Sequence, residues 1–169
     1  GKEVAGVEHS DANLYKDRAL IITPMASSGS QQVQLAKAIW QSLGSFITEL
    51  TPAAHDAAFA AVSHLPHVLS YAVIRGIFNQ PNGAELISLG GPGFRDFSRI
   101  AASDPVVWRD ILTTNREQVL LQIQHFKTAL NDFEQAIATN DPTALEDMIR
   151  QASDLRHKWH IGAQQNSEE

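Results

Sequence analysis

The change of pattern at Thr51-Pro52 constrains this chain most, because it separates a short alternation of strand and helix from a long stretch that reads as helix throughout. Upstream, Ala19-Leu20-Ile21-Ile22 is an apolar run that stops at Thr23-Pro24 and leads into a Ser/Gly loop, the signature of a buried strand. Val33, Leu35, Ala36, Ile39, Trp40 and Leu43 then recur at helical spacing, and Gly44 stands where a helix C-terminus favours glycine. Ser45 to Leu50 reads as a second strand. A strand-helix-strand unit of this size cannot close a sheet alone. The expected organisation is a remainder of an α/β domain over residues 1–50 and an all-helical domain over 51–169, so the fold class is mainly α.

Within the helical part, Thr51 is a good N-cap, Pro52 suits the first helical position, and apolar residues continue to Phe78. Pro66 removes a backbone donor there and is expected to bend or break the helix after His64. Residues 80–93 read as a Gly/Pro loop leading into a helix over Phe94 to Ala102. Asp104-Pro105 repeats the cap signature, and Thr114 with Glu117 forms a capping box for a long helix. In that helix Val119, Ile123, Phe126, Leu130, Phe133 and Ile137 make a heptad-like seam. A last helix after Asn140-Asp141-Pro142 presents Leu145, Met148, Ile149, Ala152, Leu155 and Trp159, so the two are expected to pack as an antiparallel hairpin.

Composition removes several function classes. The 19 acidic and 13 basic residues, net -6, include no basic run to neutralise a phosphate backbone, so nucleic acid is not an expected partner. The absence of cysteine excludes disulfides, thiolate nucleophiles and Cys-based zinc sites, and fits a cytoplasmic location. No apolar run is expected to reach the ~18 residues of a membrane span, and Lys2, Glu3, Glu8, Asp11, Lys16, Asp17 and Arg18 occupy the place of a signal-peptide core.

Two clusters can carry chemistry. Ser63-His64-Leu65-Pro66-His67 sets two imidazoles three residues apart on one helical face, either as part of a site or as two hydrogen-bonded or surface histidines. HxxH supplies only two ligands, and no third His or Asp completes a zinc set, so no metal is expected. In Gly90-Gly91-Pro92-Gly93-Phe94-Arg95-Asp96-Phe97-Ser98-Arg99, a glycine-rich entry precedes Arg95 and Arg99 four apart. Two guanidinium groups on one face suit a carboxylate ligand, unless they are a solvated pair bridging to Asp96 or another surface carboxylate. The glycines lack GxGxxG spacing and no strand leads into them, so they are not a dinucleotide loop. Trp108 and the aligned apolar residues read as core or subunit interface before cofactor contacts.

Three ordered strings are more specific than either cluster: GKEVAGVEHSDANLY at 1–15, HDAAFAAVSHLPH at 55–67 and GGPGFRDFSRIAASDPVVWRDI at 90–111. Together they resemble the prephenate/arogenate dehydrogenase family, which oxidatively decarboxylates a cyclohexadienyl acid on the route to tyrosine. Beyond Thr113 the resemblance is helical pattern only. It implies that residues 1–50 finish a Rossmann-type NAD(P)-binding domain and that 51–169 form the substrate-binding and dimerisation domain. It further implies NAD or NADP as cofactor, prephenate or arogenate as substrate, 4-hydroxyphenylpyruvate or tyrosine as product, tyrosine as an inhibitor, and a homodimer.

By the same resemblance, His67 matches the histidine that hydrogen-bonds the substrate, and Arg99 the arginine that pairs with a substrate carboxylate. His64, Arg95 and Trp108 match neighbouring positions that line or support the pocket, and Glu3 lies in the segment that closes over it. The family's main catalytic histidine, in a His-Pro-(Ile/Met)-Ala stretch, and its glycine-rich nucleotide loop are expected upstream of Gly1, so the chain alone is expected not to catalyse. The competing reading is a non-catalytic helical dimerisation or anionic-ligand-sensing module. Neither the side chain of the acid nor the choice between NAD and NADP is legible in these residues.

Overall fold

The structure, a computed structural model, describes residues 6–159. Glu3 lies outside the described residues. Strands β1 (Ala19–Ile22) and β2 (Phe46–Glu49) pair in parallel, Ala19 opposite Phe46 and Ile22 opposite Glu49. Parallel strands need a crossover, and helix α1 (Ser30–Ser42) supplies it. Gly44 ends that helix at a φ of 84°, with Gly44 N–H donating to the Gln41 carbonyl at 2.9 Å and Ser45 N–H to that of Trp40 at 3.1 Å. A side chain at Gly44 would also meet the backbone of Lys16 at 3.3 Å, so the glycine is required on both counts.

By backbone contacts the chain forms two compact units, one comprising the chain up to His55 together with the segment from Phe133 onward, the other Asp56–Asp132. Thr51 caps helix α2 (Pro52–Phe59), its Oγ1 accepting from Ala54 N–H at 3.1 Å. The expected break near Pro66 does not occur. The backbone widens instead into a π-helical turn over Ala60–His64, where Leu65 N–H bonds back to the Ala60 carbonyl, and continues as α3 (Leu65–Phe78) with Pro66 in its first turn. Widening the turn ahead of the proline relieves the clash that an α-helix would place there. The resulting 27-residue helix is long and apolar enough to cross a membrane, contrary to the expectation that no apolar run reaches that length. Within it Ser70 is fully buried and donates to the Phe97 carbonyl at 3.3 Å.

Residues 80–93 also differ from expectation, since they contain helix α4 (Gly83–Ser88) and the start of α5 (Pro92–Ser98). Gly83 is buried where a Cβ would collide with the carbonyl oxygens of Ile77 and Phe78, so this glycine permits close packing on the end of α3 and does not mark a loop. A 3-10 turn, Arg99–Ala102, follows α5. Helix α6 (Pro105–Thr114) is capped by Asp104, whose Oδ1 accepts from Val106 N–H at 2.8 Å and Val107 N–H at 3.0 Å.

Helix α7 (Arg116–Ala138) starts one residue later than a Thr114 cap requires, because Thr114 closes α6 and Val119 N–H bonds to the Asn115 carbonyl. A tight turn through Asn140, at φ 52°, leads to α8 (Pro142–Lys158), capped by Asp141. The seam does not close into a sheltered hairpin. Leu130, Ile137, Ile149 and Leu155 are 50%, 66%, 58% and 71% exposed, while Val119 and Ala136 on α7 are buried. Each helix thus keeps an apolar stripe facing solvent in the single chain.

Replacing Asp104 with Ala removes both cap bonds and is expected to cost about 1 kcal/mol, read as a lower urea midpoint, whereas Asp104→Asn keeps the acceptor and most of the stability. Equal losses in the two variants would show that charge, not capping, holds this end.

Candidate functional site

His64, His67 and Tyr71 fall at i, i+3 and i+7 along the helix, so one face of α3 and its π-helical entry carries all three. Trp108 of α6 docks on that face. Its ring stacks on His67 with centroids 3.5 Å apart and planes 20° from parallel, and it meets His64 edge-on at 6.2 Å and Tyr71 edge-on at 6.4 Å. His67 and Tyr71 are themselves 6.3 Å apart. Aromatic burial of this kind sets ring orientation as well as position.

Hydrogen bonds then decide what the imidazoles can do. His67 Nδ1 lies 2.9 Å from the Ser63 carbonyl, which can only accept, so the ring proton sits on Nδ1 and the neutral ring keeps its lone pair on Nε2. His64 Nδ1 lies 3.3 Å from the side-chain nitrogen of Asn115, and the same nitrogen donates to the Asp56 carbonyl at 2.8 Å. Asp56 takes part here through its backbone carbonyl.

The arginines lie on the neighbouring segment. Helix α5 ends at Ser98 and Arg99 opens the 3-10 turn, so the pair straddles a helix end instead of sharing one continuous face. Both elements pack against α3, which sets Arg99 on a turn lying against the helix that bears the histidines. Arg95 points outward, its Nε donating to Asp96 Oδ1 at 3.2 Å with both side chains more than 70% exposed. A surface pair of this kind contributes little to stability.

Trp108 also lines a cavity of about 420 Å³, together with Tyr71, Ser103, Arg109 and Leu112 among others. The Tyr71 hydroxyl is buried without a hydrogen-bond partner among the described residues. The Arg109 guanidinium pairs with Asp110, Nε to Oδ1 at 2.8 Å. Tyr71, Arg109 and Asn115 were not singled out in the sequence. Helical spacing from His64 and His67 was a usable signal for Tyr71, and adjacency to Trp108 for Arg109, but Asn115 looks like any turn residue. Among the described residues no group of three His, Asp or Glu side chains could hold a metal ion.

Comparison with known proteins gives one consistent result. The profile of the family described as prephenate dehydrogenase, dimerization domain, matches residues 51–151. Cyclohexadienyl dehydrogenase of Zymomonas mobilis is 30% identical over 158 residues, 92% of this chain and 54% of that protein. The crystal structure of prephenate dehydrogenase from Aquifex aeolicus in complex with hydroxyphenyl propionate and NAD+ aligns with a TM-score of 0.86 at 34% identity, over 93% of this chain and 55% of that one. Synechocystis arogenate dehydrogenase aligns at 0.82 with 27% identity, over 95% and 59%. The chain spans about half the length of the curated relatives it matches, at 54%, 42% and 44%.

The orphaned hydroxyl of Tyr71 yields a direct test of the cavity. Tyr71→Phe removes a buried polar group that has lost its water, so stability is expected to hold or to rise by about 1 kcal/mol in thermal unfolding. A loss of that size would mean that the hydroxyl has a partner.

Proposed function

The chain belongs to the prephenate dehydrogenase dimerization-domain family, and we propose that it is the helical substrate-binding and dimerisation part of an NAD(P)-dependent dehydrogenase that oxidatively decarboxylates prephenate or arogenate. The observation that carries this reading is the His67–Trp108 stack, with its Nε2 lone pair, on a helix packed against the Arg99 turn. In this reading His67 Nε2 accepts a hydrogen bond from the substrate, and Arg99 grips a carboxylate. A chain of net charge -6 repels a dianionic acid in general, so binding depends on positive charge concentrated at one point. Energy from that remote carboxylate holds the ring carbon in register for hydride departure. His64 and Trp108 support the pocket, and tyrosine, which keeps the product's ring and carboxylate, is the natural competitor for it.

The loop from β1 to α1, Thr23 to Gly29, has one glycine and no GxGxxG spacing, so it does not supply the pyrophosphate cradle of the nucleotide. The part played by this chain is accordingly to bind and orient the acid. The exposed stripes of α7 and α8 support the homodimer in this reading, since apolar faces of that length are covered in stable assemblies.

In the whole protein, Arg99→Ala is expected to raise KM for prephenate or arogenate roughly 10- to 100-fold while leaving nucleotide binding unchanged, the loss of one charged hydrogen-bonded pair. An unchanged KM removes Arg99 from the site. No NADH or NADPH formation by the wild-type protein with either acid would favour an anion-sensing module. For the 18.5 kDa chain, light scattering is expected to return twice that mass, and a monomer would leave the stripes of α7 and α8 without the partner assigned to them.

A further inference from the structure

One nitrogen atom joins three elements of the histidine cluster. Asn115 Nδ2 donates to the Asp56 carbonyl at 2.8 Å and faces His64 Nδ1 at 3.3 Å. Because a carbonyl oxygen only accepts, Asp56 dictates which end of the amide turns inward, and the nitrogen is the end that meets His64. Because an amide nitrogen only donates, His64 Nδ1 meets it with a lone pair, and the proton of the neutral ring resides on Nε2. His67 is set the opposite way by the Ser63 carbonyl, with its proton on Nδ1. Trp108 contacts both rings, stacked on His67 and edge-on to His64.

We propose that Asn115 is a positioning residue: by keeping the His64 proton on Nε2, it makes the two histidines a matched donor and acceptor. Such a pair reads a ligand that offers both an acceptor oxygen, as in a carboxylate, and a hydroxyl or ammonium hydrogen. The second half of this statement rests on the acid-binding reading above; the assignment of the proton does not. Asn115 stands at the junction of α6 and α7, so the same contact ties the placement of that junction to the tautomer of His64.

Long-range proton–nitrogen spectra of the histidine side chains in the wild-type protein are expected to show His64 protonated on Nε2 and His67 on Nδ1. A His64 proton on Nδ1 overturns the proposal, whatever the substrate is. In Asn115→Leu, of similar size but without a donor, His64 is expected to become a tautomer mixture while His67 keeps its pattern. KM for the acid then rises about tenfold, with kcat and nucleotide KM within about twofold of wild type. An altered His64 with unchanged KM, or an unaltered His64, overturns the role of Asn115. Absence of turnover in the wild-type protein strikes the dehydrogenase reading alone, because the spectra do not depend on it.

Discussion

The stack of Trp108 on His67 is the contact on which the candidate site depends. It brings α6 onto the face of α3 that carries His64 and Tyr71, and the indole lines a cavity together with Tyr71. A ring sandwiched in this way has lost most of its freedom before any ligand arrives. Preorganisation of this sort is what lets a small number of polar atoms discriminate among anions, because no rotamer entropy remains to be lost on binding.

Much of this was legible in the chain because local rules and tertiary packing agree. Ala19–Ile22, Gly44, Thr51, Asp104 and Asp141 all sit where strand pattern, glycine at positive φ and side-chain capping put them. The misreadings share a cause, which is that a residue's usual local meaning was overridden from outside its segment. Pro66 does not end the helix because the turn before it is widened, and Gly83 belongs to a helix because it must approach the end of α3. The pairing of His64 and His67 was visible as a spacing, but their opposite hydrogen-bonding characters were not. That of His67 follows from the Ser63 carbonyl in its own helix, whereas that of His64 follows from Asn115, 51 residues away.

The apolar stripes of α7 and α8 show the limit of periodicity as evidence. Spacings of three and four residues correctly signalled helices with one greasy side. They carried no information on whether that side meets the next helix of the same chain or another surface. Exposure of Leu130, Ile137, Ile149 and Leu155 answers the first half of that question. A chain built this way has its stability tied to its concentration wherever the stripes are covered by a second copy.

The π-helical turn at Ala60–His64 acts as a phase shifter for the histidine helix. Eight residues separate Asp56 from His64, and at about 100° per residue an unbroken α-helix would leave them roughly 80° apart around the axis. A π turn takes up one residue without advancing the spiral, which reduces the offset to about 20°. The Asp56 carbonyl and the His64 ring then fall on nearly the same line, close enough for a single amide nitrogen to reach both. Residue count in this stretch is therefore a setting of angle: one residue deleted between Asp56 and His64 could be absorbed by reverting to α-helix with the histidines still in place, whereas one inserted has nowhere to go.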